Sequence, residues 1–187
     1  MHRISYVLFI AIASLLSTGC SLVAPHYSAS LENVQTLKDG GAYTAKVGKF
    51  DSSKDKANAN PISMRGSSLN SPYANSYAQY LTEALKQELS LAGKLSPTAK
   101  VEVSGELLKN DIDVSGFDKG FGDISARFVV KKSGAVRYDK VKTVHAEWES
   151  SFVGGIAIPR GQQEYPKLVQ QLLAKLFADA SFMRALH

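Results

Sequence analysis

The one cysteine of this 187-residue chain stands at position 20, directly behind a leader that permits few readings. His2 and Arg3 give a short basic start, residues 4–16 are an almost unbroken apolar run, and Ser17-Thr18-Gly19 place small residues before the cysteine. An apolar run of about 13 residues falls short of the ~20 that a membrane-spanning helix needs. It does match the apolar region of a secretory signal. These features predict a signal peptide over residues 1–19, cut between Gly19 and Cys20. An ordinary signal with a chance cysteine and an uncleaved anchor are the plain alternatives. With a single thiol no disulfide can form within the chain, so its stability must come from a packed core. The stretch 20–187 is long enough to bury one.

The segment Leu16-Ser17-Thr18-Gly19-Cys20 resembles the lipobox of bacterial lipoproteins, a short apolar-and-small stretch closed by Gly-Cys. Ser17 stands where that family usually has leucine, with Leu15 and Leu16 just upstream. The resemblance implies diacylation of the Cys20 thiol, cleavage after Gly19 and acylation of the new amino terminus. In that family an aspartate after the cysteine often retains the protein at the inner membrane. Ser21 occupies the position here, so the resemblance implies an outer-membrane anchor facing the periplasm. Two or three acyl chains hold firmly where one binds reversibly, because each buried methylene contributes about 0.8 kcal/mol. No cofactor is expected beyond this covalent lipid.

Past the leader no apolar stretch is long enough to cross a bilayer. The net charge of +5 comes without a Lys/Arg stripe interleaved with aromatics, so nucleic acid is not an expected partner. Residues 20–41 have little periodicity and read as a lipidated tether, leaving a single domain over residues 42–187. Residues 43–50 alternate loosely, with Tyr43, Ala45, Val47 and Lys49 on one side, and predict a first strand. Residues 51–71 are polar and loop-like, with no core-forming pattern, and a connection that long is mobile or binds something.

A helix is expected from Ser71-Pro72, where serine caps and proline sits at the first helical position. Tyr77, Tyr80, Leu81, Ala84, Leu85, Leu89 and Ala92 form its apolar face, and Gly93 ends it. Three alternating segments follow, around Val101–Leu107, Ile124–Val130 and Val136–Trp148, with Ser133-Gly134 as a tight hairpin turn. Short links make an antiparallel meander the economical topology. A second helix is expected from Gln162, with Tyr165, Leu168, Val169, Leu172, Leu173, Leu176 and Phe177 on its apolar face. The order strand, helix, three strands, helix predicts an α+β fold of two layers. A mostly antiparallel sheet would carry two amphipathic helices on one face.

Two constellations suggest chemistry. Asp111-Ile112-Asp113-Val114-Ser115-Gly116 begins like a calcium loop, but its twelfth position is Gly122 where a bidentate glutamate is needed. A polar turn explains it as well. His145, Glu147 and Glu149 share a strand face, as the wet side of a sheet also requires. There is no nucleophile elbow, metal-binding His-Glu-x-x-His or phosphate loop. No enzyme, no catalytic residue and no metal site are expected. The apolar segment 150–159, with Phe152, Val153, Ile156 and Ile158, is either a buried crossover or an exposed contact for a partner.

Tyr80-Leu81-Thr82-Glu83-Ala84-Leu85-Lys86-Gln87-Glu88-Leu89 through Ala92-Gly93, then Val103-Ser104-Gly105-Glu106-Leu107, resemble small Gram-negative lipoproteins in layout. These are the auxiliary lipoproteins of ABC-type lipid transporters and the lipoprotein partner of lipopolysaccharide assembly. The resemblance implies a non-catalytic accessory subunit of an envelope complex. The alternative is a stand-alone lipid binder that holds a lipid tail near Tyr77, Tyr80 and Trp148.

Overall fold

A computed structural model describes residues 20–187; the leader, including Gly19, lies outside the described residues. Seven strands and four helices follow one another among those residues. They are β1 (Ser21–Val23), α1 (Leu31–Asp39), β2 (Ala45–Ser52), β3 (Ile62–Met64), β4 (Ser67–Asn70), α2 (Tyr77–Leu91), β5 (Val101–Asp113), β6 (Lys119–Lys132), β7 (Ala135–Glu149), α3 (Gly154–Phe177) and α4 (Ala180–Ala185).

The α+β expectation holds. β5, β6 and β7 form the antiparallel meander, and β2 joins its edge in parallel with β5. Ser133 and Gly134 make the turn between β6 and β7, both at positive φ, as a tight hairpin requires. On β6, Ile124, Ala126, Phe128 and Val130 are buried on one face, beneath the helices. α3 lies across β6 and β7, α2 packs against β2, and α1 touches both helices. The C-terminal turn, α4, buries Phe182 and Leu186.

Strict alternation fails where strands bulge. The register of β2 against β5 shifts between Val47 and Phe50, which turns Phe50 inward and leaves Lys49 outside, against the expected parity. Phe50 meets Phe128 edge-on at 5.7 Å. Gly105 makes room for it: a Cβ there would lie 2.0 Å from the Arg127 carbonyl oxygen and 2.8 Å from the Phe50 ring. A second shift, between Val130 and Lys131, leaves Val136 exposed although Tyr138 is buried.

Two segments read as irregular are built into the fold. Residues 20–41 are not a tether. β1 pairs in parallel with β4, α1 follows, and Tyr27 and Leu37 are buried. The cause is a buried carboxylate on α2. Glu88 Oε1 accepts from the Tyr27 hydroxyl at 2.5 Å, the Ser30 amide at 3.0 Å and the Asn33 side chain at 3.2 Å. Burial and this bond push the Tyr27 hydroxyl far above its ordinary range, so it remains a donor. Residues 51–71 also contribute to the core. The hairpin β3–β4 with β1 forms a second, three-stranded sheet, and Ile62, Met64 and Leu69 are fully buried.

Both long helices start elsewhere than expected. α2 is capped by Ser76, whose side chain accepts from the Gln79 amide, because Ala74 and Asn75 take positive φ and turn the chain after Pro72. α3 begins at Gly154, eight residues before Gln162, and carries Pro159 and Pro166 inside it. Each proline removes one helical donor, and the helix continues through both.

Candidate functional site

Cys20 is exposed and is joined directly to β1. Its carbonyl oxygen accepts from the Ser68 amide at 3.0 Å, so it is already part of the β1–β4 ladder. In that register Ser21 faces Ser68, which puts Cys20 opposite Ser67, the first residue of β4. Arg65 and Gly66, both at positive φ, form the turn just before it.

The Arg65 guanidinium reaches from this turn to two other loops. It donates to the Gly116 carbonyl at 2.8 Å and to the Phe152 carbonyl, and its carbon lies 5.8 Å from the Phe152 ring centre. The Phe117 and Phe152 rings stack at 4.9 Å with 16° between their planes. Three loops therefore meet: the β3–β4 turn, the β5–β6 connection and the entry to α3. Phe117 is 77% exposed, Phe152 64%, Val153 57% and Ile156 59%. Ile158 differs; it is partly buried and packs on the core. So Phe152, Val153 and Ile156 present exposed apolar side chains at the entry to α3, and Ile158 turns toward the core.

Sequence reasoning missed Arg65 and Phe117. Phe117 carries a legible signal, an aromatic between Gly116 and Asp118 in a turn with no periodic apolar neighbours. Arg65 carries none, because its role depends on three distant loops meeting.

The polar constellations resolve into ion pairs and turns. Lys119 binds Glu147 at 3.0 Å and Glu149 at 2.6 Å, while His145 contacts Asp123 at 3.1 Å. All stand on the outer face of the sheet. Asp113 accepts from the Ser115 amide at 2.7 Å, and the Ser115 hydrogen bonds hold its carboxyl below the ordinary range. Asp111 is raised, first by burial. Asp113 thus serves the turn. Among the described residues no group of three His, Cys, Asp or Glu side chains is placed to hold a metal ion.

Tyr77, Tyr80 and Tyr165 fill the space between α2 and α3, with Tyr165 centred 4.8 Å from Tyr77 and 5.1 Å from Tyr80. Their hydroxyls bind the Leu69 carbonyl at 2.8 Å, the Pro25 carbonyl at 2.9 Å and Asn110 Oδ1 at 2.9 Å, in the order Tyr77, Tyr80, Tyr165. Trp148 lies flat over Gly120, where a Cβ would come within 2.5 Å of its indole nitrogen. These aromatics are packed core, with each tyrosine hydroxyl satisfied inside it.

No family model matches the sequence, and no curated protein matches it. Solved structures do align. The protein XCC0632 from Xanthomonas campestris, of the family DUF330, superposes with a TM-score of 0.57 at 12% identity, over 88% of this chain and 96% of that one. The hypothetical protein CT253 from Chlamydia trachomatis superposes with a TM-score of 0.50 at 13% identity, over 78% of this chain and 99% of that one. At such identities the likeness is one of fold, and the chain shares its α+β architecture with these two proteins.

Proposed function

We propose that this chain is a lipid-anchored, periplasm-facing lipoprotein that acts by binding, as a non-catalytic accessory subunit of an envelope complex. The observation that carries the reading is Cys20. It is the lone thiol, follows a short apolar leader, and stands exposed directly before β1. A buried or paired cysteine would not suit acylation. No helix among the described residues is long and apolar enough to cross a membrane. Ser21 after the cysteine favours the outer membrane. The exposed apolar patch of Phe152, Val153 and Ile156 supports a contact surface.

The test is expression of C-terminally tagged wild type and Cys20→Ala in a Gram-negative host. The mass of the mature chain, membrane fractionation and crosslinking in intact cells are then read together. Wild type is expected to carry the added acyl mass, to fractionate with the outer membrane and to capture defined envelope proteins. Cys20→Ala is expected to lose all three. An unmodified wild-type mass removes the reading.

A further inference from the structure

We infer that the patch around Phe117, Phe152, Val153 and Ile156 is a membrane-docking surface that seats in the bilayer carrying the Cys20 anchor. This rests on the reading of Cys20 as the lipidated residue and names what the exposed patch touches. The argument is positional. Cys20 lies opposite Ser67, and the next two residues toward the hairpin tip are Gly66 and Arg65, whose guanidinium holds the Phe152 and Gly116 carbonyls.

An independent route along the helix agrees. Gln162 on α3 donates to the Val23 carbonyl at 2.6 Å, and Gln170 donates to the Ser28 carbonyl at 2.7 Å. The N-terminal segment and α3 therefore run in the same direction. Three strand residues back from Val23 cover about 10 Å. Eight helical residues back from Gln162 cover about 12 Å. Cys20 is thus level with the first turn of α3, where Val153 and Ile156 are exposed.

An acyl chain on Cys20 enters the bilayer at the end of the molecule that presents these apolar side chains. An exposed apolar cluster of this kind marks a contact surface, and one beside a lipid anchor is brought to the bilayer by it. Because β1 starts at Ser21, no slack separates anchor from fold. Arg65 ties the three loops together, so the patch meets the membrane preformed. The domain is held in one orientation, with the Ser133-Gly134 turn pointing away. β6 alone, at 14 residues, carries that turn about 45 Å from the patch.

The lipidated thiol is consumed, so an introduced cysteine becomes a unique labelling site. Full-length lipidated Phe117→Cys, Val153→Cys and Arg137→Cys proteins, each nitroxide-labelled, would be reconstituted in phosphatidylcholine/phosphatidylglycerol vesicles. Their collision rates with oxygen and with a water-soluble nickel chelate would be measured by electron paramagnetic resonance. Labels at 117 and 153 are expected to favour oxygen, and the label at 137 the nickel chelate. Adding Ile156→Asp is expected to move the label at 153 toward the nickel chelate with the thermal melting unchanged.

Labels at 117 and 153 that favour nickel on protein of verified acylated mass overturn the docking surface and leave the anchor intact. Labels shielded from both reagents show that protein, a second copy included, covers the patch, and also overturn it. A protein mass without acyl chains overturns anchor and surface together.

Discussion

The two ends of the meander are built from the same three strands and carry opposite surfaces. At the β5–β6 end, Phe117, Phe152, Val153 and Ile156 are exposed around Arg65, beside Cys20. At the β6–β7 end, Lys132, Arg137, Arg184 and His187 surround a polar recess, and Asp179 caps α4. The first end presents exposed apolar side chains next to Cys20; the second is charged and suited to water. Under the proposed anchoring, the difference makes the sheet a spacer with a direction. What ties Cys20 to this end is the lock between the N-terminal segment and α2, since on the proposed anchoring Cys20 would set orientation only while residues 21–39 stay folded.

The largest effect is expected from breaking that lock. Glu88→Ala leaves the Tyr27 hydroxyl and the Ser30 amide without their acceptor, at a cost of about 3 kcal/mol. Hydrogen exchange should show residues 21–39 losing protection before the meander does, while Glu88→Gln, which keeps an acceptor oxygen, loses less. Equal loss of protection across both regions would mean that the N-terminal segment is no separate element.

A smaller loss is expected within the sheet near the β5–β6 end. Gly120→Ala sets a Cβ 2.5 Å from the Trp148 indole nitrogen and is expected to lower stability by about 2 kcal/mol, read by chemical denaturation. Tryptophan fluorescence should shift in the same variant, since Trp148 is the chain's one tryptophan.

The smallest effect belongs to the far end and appears only in acid. Asp179 accepts from Lys142 at 2.7 Å and from Ser181 at 2.6 Å, and these bonds, Lys142 first, hold its carboxyl well below the ordinary value of 3.8. A carboxyl depressed in the folded state contributes stability above its unfolded value, and that contribution fades as the pH falls below it. Melting temperatures of wild type should therefore drop more steeply below about pH 4 than those of Asp179→Asn, whose side chain does not titrate. Parallel curves would show that the Asp179 pair adds nothing to folding.

The periodic elements were legible because burial on one face writes itself into the spacing. The meander, the Ser133-Gly134 turn and the apolar faces of α2 and α3 could be read that way. The bulges in β2 and at the β6–β7 register shift could not. One extra residue reverses the parity, and nothing local at Lys49 or Val136 announces it. Residues 51–71 misled for a related reason. Ile62, Met64 and Leu69 are too few and too widely spaced to make a pattern, yet each is fully buried by neighbours from elsewhere in the chain. Of the candidate site, Cys20 and the apolar run at 152–158 stood out in composition, while Arg65 and Phe117 joined them only through space.

The sequence by itself determined the α+β class, the order of the main elements and the placing of a lone thiol behind an apolar leader. Periodicity and composition are local, and so are the forces that read them. Only the tertiary structure decided that residues 21–39 fold against the core, burying Tyr27 and Leu37, and that three loops and Cys20 gather at one end. A buried carboxylate, a parallel pairing of β1 with β4 and a guanidinium bridging two carbonyls join residues far apart in the chain. Such contacts leave no period behind.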